Sequence, residues 1–153
     1  MMYNSGGNGS ISIVGSDINL GNGGRPRGLR LMVDGTVELL NTSITSSASV
    51  LSGQSYGAEI VGLGQRTIEN NYVDISGPQT SFVGIGVYGD GINSVVGADI
   101  FNNVIAGSAT GANSSVLLYL ESVDGPRVIH NTLVQRTDAD ANVHIDTQGN
   151  QAM

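Results

Sequence analysis

Two pairs of residues suited to holding a ligand recur at one interval: Tyr88 and Tyr119, and Asp90 and Glu121, are each 31 positions apart. Tyrosine offers an apolar ring with a polar tip, the combination that packs against the ring face of a sugar. Carboxylates accept hydrogen bonds from hydroxyls, and two of them about 5–5.5 Å apart form the catalytic pair of retaining glycosidases. Asp146 adds a carboxylate 27 positions after Tyr119, with the imidazole of His144 nearby. A separate run, Asp138-Ala139-Asp140-Ala141-Asn142, spaces oxygen ligands at alternate positions, like the opening of a calcium loop. Val143 stands where such a loop needs Gly, and Gly149 where it ends on Glu, so a solvated acidic turn is the favoured account. No cofactor is expected, and a weak calcium site at Asp138, Asp140 and Asn142 is the minority alternative.

Other chemistries are excluded by composition. The chain has 153 residues, no Cys and no Trp, and all six of its basic residues are Arg. A disulfide framework, a Cys metal site, a lysine nucleophile and a P-loop lysine are therefore ruled out. The formal charge of −7 argues against a nucleic-acid surface, which needs clustered cations. No apolar stretch approaches the ~18 residues of a membrane span. The opening MMYNSGGNGS carries neither the basic nor the apolar region of a signal peptide. The 23 Gly, about twice the usual share, favour many short strands and turns.

Which elements position these residues follows from a repeat. One phrase runs Ile13-Val14-Gly15-Ser16-Asp17-Ile18, then Leu39-Leu40-Asn41-Thr42-Ser43-Ile44 and Ile68-Glu69-Asn70-Asn71-Tyr72-Val73. It returns as Ile100-Phe101-Asn102-Asn103-Val104-Ile105 and Val128-Ile129-His130-Asn131-Thr132-Leu133. A second phrase alternates apolar residues with others and begins at Leu29, Ala58, Ile85, Val116 and Val143. Period-two alternation means strand, and Gly, Asn and Ser clusters punctuate each one. Strands this short cannot bury a face alone, whereas stacked coils share a continuous core.

The repeated I-x-N-N-x-I phrase resembles the right-handed parallel β-helix superfamily, whose best-known members are pectate lyases and polygalacturonases; the resemblance runs from about Ile11 to Gln148. The fold expected is an all-β, right-handed parallel β-helix of about five coils. It forms one domain over residues 1–153, whole or part of a longer helix. An antiparallel sandwich is the rival, but it does not require a fixed period. Asn71, Asn103 and Asn131 are expected to be structural, with amides that bond from rung to rung in tight bends. His130 shares the column of Asn41, Asn70 and Asn102 and is expected to be a turn residue. The resemblance also implies an extracellular or cell-surface setting.

Stacking places equivalent residues about 4.8 Å apart in columns. The expected outward columns are Arg30/Glu59/Gly86/Leu117/His144, Met32/Val61/Tyr88/Tyr119/Asp146 and Asp34/Leu63/Asp90/Glu121/Gln148. One sheet face would then gather Tyr88, Tyr119, Asp90, Glu121, Asp146 and His144 as a seat for a polysaccharide. Stacked tyrosines also stabilise neighbouring rungs with no ligand, so a structural β-helix that self-associates through its coil ends is the second reading. The third is a polysaccharide lyase or hydrolase with Asp90 and Glu121 as its weak catalytic candidates. Against it, the Asn-Thr-Asp, Asp-Asp, Gly-His-Gly and Arg-Ile-Lys motifs of polygalacturonases do not occur. The basic residues of pectate lyases have one counterpart on this face, Arg30, and Glu59 on the next rung is expected to pair with it. No catalytic set is assigned.

Overall fold

The alternating phrases form strands in every repeat, and strand makes up 64% of the structure, with no helix among the described residues. The computed structural model describes residues 2–5, 9–21, 26–46, 53–77, 79–109, 115–136 and 141–146. Three all-parallel sheets wind around one core. The first stacks β1 (Met2–Ser5), β4 (Arg27–Val33), β7 (Gln54–Val61), β10 (Ser81–Tyr88), β13 (Val116–Glu121) and β16 (Ala141–Asp146). The second stacks β2 (Ile11–Val14), β5 (Val37–Leu40), β8 (Arg66–Glu69), β11 (Ala98–Phe101) and β14 (Arg127–Ile129). The third stacks β3 (Asp17–Leu20), β6 (Ser43–Ser46), β9 (Tyr72–Ser76), β12 (Val104–Ser108) and β15 (Thr132–Gln135). The result is a parallel β-solenoid of about four turns, one fewer than expected, because five recurrences of a phrase enclose four intervals.

Each sheet turns alternate residue columns inward. In the second sheet Ile13, Leu39, Ile68, Ile100 and Val128 align; in the third, Ile18, Ile44, Val73, Ile105 and Leu133. The members from the middle coils are fully buried. Each such aliphatic side chain stabilises the fold by roughly 1.5–3 kcal/mol relative to exposure, so the core is a stack of additive layers.

Between the second and third sheets the chain turns sharply at one left-handed residue per coil. Gly15, Asn41, Asn70, Asn102 and His130 occupy that column with φ of 51° to 59°. Asn is the cheapest side chain in this region after the absence of one, and His130 is the turn residue its column implied. The next residue carries the ladder. Asn71 Nδ2 donates to Asn103 Oδ1 (2.9 Å) and to the Leu39 carbonyl (2.8 Å). Asn103 repeats this one coil on, donating to Asn131 Oδ1 (2.9 Å) and the Ile68 carbonyl (2.9 Å). Thr42 N–H donates to Asn71 Oδ1 (2.9 Å), and Ser16 N–H reaches Thr42 Oγ1 (3.5 Å), so the whole anchor series is one chain of bonds.

The first sheet corrects the expected register in one strand. Ile85 pairs with Leu118 rather than Val116, and Leu118 pairs with Val143. Strand β13 is thus displaced by two residues from its expected position, while β4, β7, β10 and β16 align as expected. The cause is a column of small residues. Gly28, Gly57 and Gly84 precede Leu29, Ala58 and Ile85, and both members of each pair are buried. A Cβ on Gly28 would fall 2.6 Å from Ile44 Cγ2, and one on Gly84 would fall 2.5 Å from Ile105 Cγ2. The fourth member of this column is Leu117, also fully buried. It turns Val116-Leu117-Leu118 into an unbroken apolar run without a landmark.

Candidate functional site

The register correction redraws the outer face of the first sheet. Its columns are Arg27/Tyr56/Val83/Val116, then Arg30/Glu59/Gly86/Tyr119/His144, then Met32/Val61/Tyr88/Glu121/Asp146. Tyr119 therefore lies across from Gly86, and Glu121 across from Tyr88. The two tyrosines still meet, on the diagonal: their ring centroids are 5.3 Å apart with the planes inclined by 29°. The meeting depends on Gly86, because the Tyr88 ring lies back over it. A Cβ at Gly86 would stand 2.5 Å from Tyr88 Cε2.

The rings wall a groove of about 360 Å³, near the lower end of the size range of small-molecule sites. Val83 and Val116 line it together with Tyr56, and Gln54 and Glu121 supply the polar edge. Tyr56 is a third aromatic that the sequence reading passed over. It sits two residues before the Ala58 that opens its phrase, on the far side of the glycine column. The Tyr56 hydroxyl donates to Gln54 Oε1 (3.0 Å), and the Arg27 guanidinium lies 5.0 Å from its ring centre.

Electrostatics divide the face. Glu59 is buried beneath two arginines, with Arg27 Nε donating to Oε2 at 2.6 Å and Arg30 Nε 2.9 Å from the same oxygen. Arg30 pairs with Glu59 as expected, and Arg27 joins them. The Tyr88 phenol is pushed far above its ordinary pKa, first by burial and then by the neighbouring Tyr56, Glu59, Tyr119 and Glu121. It remains a neutral donor throughout the physiological range.

The expected carboxylate pair is not assembled. Asp90 lies beyond the end of β10, where its Oδ1 accepts from the N–H groups of Ile92 (2.8 Å) and Asn93 (2.7 Å) and its Oδ2 from Asn93 Nδ2 (3.0 Å). These bonds hold its carboxyl below the usual range. It is a turn-forming residue, followed by Gly91 at φ 87°. Glu121 faces the groove beside Tyr88 instead, because of the two-residue displacement of β13. His144 and Asp146 align by backbone with Tyr119 and Glu121. Asp138 and Asp140 lie outside the described residues, and Asn142 is placed only as backbone within β16. Among the described residues no three His, Cys, Asp or Glu side chains gather as a metal site. No helix among them is long and apolar enough to cross a membrane.

Two polar clusters escaped the sequence reading altogether. Arg66, in line with buried Val37 and Ala98, is itself fully buried. Its guanidinium donates to the carbonyls of Val33 (2.7 Å) and Gly35 from the preceding coil. Burial lowers its pKa, while the Asp34 charge opposes that. On the third sheet Arg136 Nη1 reaches Asp74 at 2.7 and 2.8 Å across a full coil. Ser76 and Tyr72 also donate to that carboxylate, at 2.6 and 3.1 Å. Both contacts are between coils, so only the fold brings the partners together.

No family model, curated protein or solved structure matches this chain.

Proposed function

We propose that this β-solenoid is a polysaccharide-binding module whose site is the groove on the first sheet. The reading rests on one observation, the inclined Tyr88–Tyr119 pair opening onto a groove edged by Glu121 and Gln54. Aromatic faces cover the apolar faces of sugar rings, while carboxylate, amide and phenol groups satisfy the hydroxyls. The sequence resemblance to pectin-lyase-like β-helices points the same way. Catalysis is not part of the proposal, since Asp90, the acid expected opposite Glu121, is held in its own turn and Tyr88 takes that register position.

A glycan array together with a depolymerisation screen, run with and without calcium, tests the reading. Binding that disappears in Tyr88→Ala and Tyr119→Ala while both variants stay folded is the expected result. New chain ends or unsaturated products would instead make the module an enzyme. Silence across acidic, neutral and basic glycans would favour the self-associating reading. In its support, β14 and β15 are edge strands among the described residues, and edges of this kind pair with other chains unless covered. Sedimentation of the intact chain distinguishes that case.

A further inference from the structure

The groove has a charge pattern that narrows its ligand, and the inference rests on the saccharide reading above. Glu121 is the one charged side chain among the described residues that line it. The cations nearest in register are committed elsewhere: Arg27 and Arg30 both direct a nitrogen at Glu59 Oε2, and Arg27 also covers a face of Tyr56. On the next strand Asp146 aligns by backbone with Glu121. A chain of uronate or sulfated sugars would bring its anions against Glu121 with no guanidinium among the groove's described lining residues to meet them. Desolvating an unpaired anion is costly, and like charges directly opposed add to the cost.

We propose that the groove selects polysaccharides carrying free amines, ranking an amino-sugar chain above its neutral counterpart and rejecting polyuronates. An ammonium on the sugar forms a charge-assisted hydrogen bond with Glu121, of the kind about twice as strong as a neutral one. The flanking faces of Tyr88 and Tyr119 attract the same cation through their ring quadrupoles. The ring stack supplies affinity for any sugar, and the carboxylate sets the order among them.

The test titrates the full chain with glucosamine, N-acetylglucosamine and hexuronate oligomers of equal length by calorimetry. A pH of about 6 keeps amines protonated and carboxylates ionised. Wild type is expected to bind the amine oligomer roughly ten-fold more tightly than the acetylated one, the factor carried by one charge-assisted bond, and the uronate most weakly. Glu121→Gln should bind the amine and acetylated oligomers alike. Asp124→Asn, an exposed change outside the groove, should keep the ranking. Circular dichroism confirms that each variant is folded.

Uronate binding equal to amine binding overturns the selectivity but leaves the saccharide site standing. So does a ranking that survives in Glu121→Gln, or one lost equally in Asp124→Asn, which assigns it to net charge. Failure to bind any oligomer overturns the saccharide reading, and the selectivity with it.

Discussion

The Tyr88 ring lies over Gly86, two residues back on its own strand, so closely that a Cβ on Gly86 would stand 2.5 Å from the phenolic oxygen. The missing side chain is therefore what lets Tyr88 reach Tyr119, although the strand register aligns it with Glu121. Gly86→Ala should drive the ring outward and open the stack. Ligand affinity is expected to fall about as far as in Tyr88→Ala, by roughly two- to ten-fold if one aromatic contact is worth its usual 0.5–1.5 kcal/mol beyond area burial. Near-ultraviolet circular dichroism, which reports tyrosine surroundings, should change in Gly86→Ala while the far-ultraviolet spectrum does not. An unchanged tyrosine signal would show that the ring does not need this space.

The asparagine ladder makes a graded prediction. Asn103 donates to Asn131 Oδ1 and the Ile68 carbonyl, while its own Oδ1 accepts from Asn71 N–H and Nδ2, all in buried or partly buried surroundings. Asn103→Ala strands several of these groups at once. With about 1–3 kcal/mol for each buried group left unpaired, the loss should be large, of the order of 3–5 kcal/mol, and visible as a shift in the urea midpoint. Asn131→Ala should cost less, because its surroundings are more exposed. Equal costs at the two positions would contradict a ladder whose strength depends on burial.

Asp74 couples stability to acidity. Its carboxyl sits below the usual range: burial alone would raise it, but the hydrogen bonds from Ser76, Arg136 and Tyr72 and the Arg136 charge prevail. A depressed carboxyl contributes stability that is fully present above its unfolded value of about 3.9 and is lost as pH falls through the folded value. The difference in urea midpoint between wild type and Asp74→Asn should therefore hold steady above about pH 5 and shrink below pH 4. Arg136→Ala should flatten the same curve. A difference that grows on acidification would reverse the sign and overturn the assignment.

Arg66 tests whether a buried cation is structural. Arg66→Ala leaves the Val33 and Gly35 carbonyls without their donor and opens a cavity beside Val37 and Ala98. A loss of about 3–5 kcal/mol is expected, as when one partner of a buried polar set is removed. Arg66→Met, which refills the volume and buries no charge, should recover a good part of it. If Met proves as damaging as Ala, the hydrogen bonds rather than the packing carry the contribution.

What was legible in the sequence was whatever repeats. The alternating strands, the turn column ending in His130, the Asn71–Asn103–Asn131 ladder and the Tyr88–Tyr119 meeting all recur at one period, and periodicity is a local signal. The contacts of Arg66, and of Arg136 with Asp74, are single events between coils, and nothing in the local pattern marks a lone Arg as buried rather than exposed. The fate of Asp90 and Glu121 turned on the register of one strand. Three coils announce that register with Gly28, Gly57 and Gly84; the next has Leu117, and a two-residue slip in Val116-Leu117-Leu118 still leaves Leu118 and Leu120 facing inward.

That ambiguity leads to a final prediction about the same column. Gly84 has Ile105 Cγ2 and the Leu117 carbonyl oxygen each 2.5 Å from where a Cβ would stand, and the backbone oxygen cannot swing aside. Gly84→Ala should therefore destabilise the fold by about 1–3 kcal/mol, the usual cost of overpacking. Leu117, fully buried in the equivalent place one coil later, should show the opposite dependence. Leu117→Ala opens a cavity and should cost about 2–5 kcal/mol. One column that requires the absence of a side chain in one coil and its presence in the next means that the coil interior changes width along the axis. Urea unfolding of the two single variants decides it: if Gly84→Ala is neutral, the coils are wide enough throughout and the glycines need another explanation.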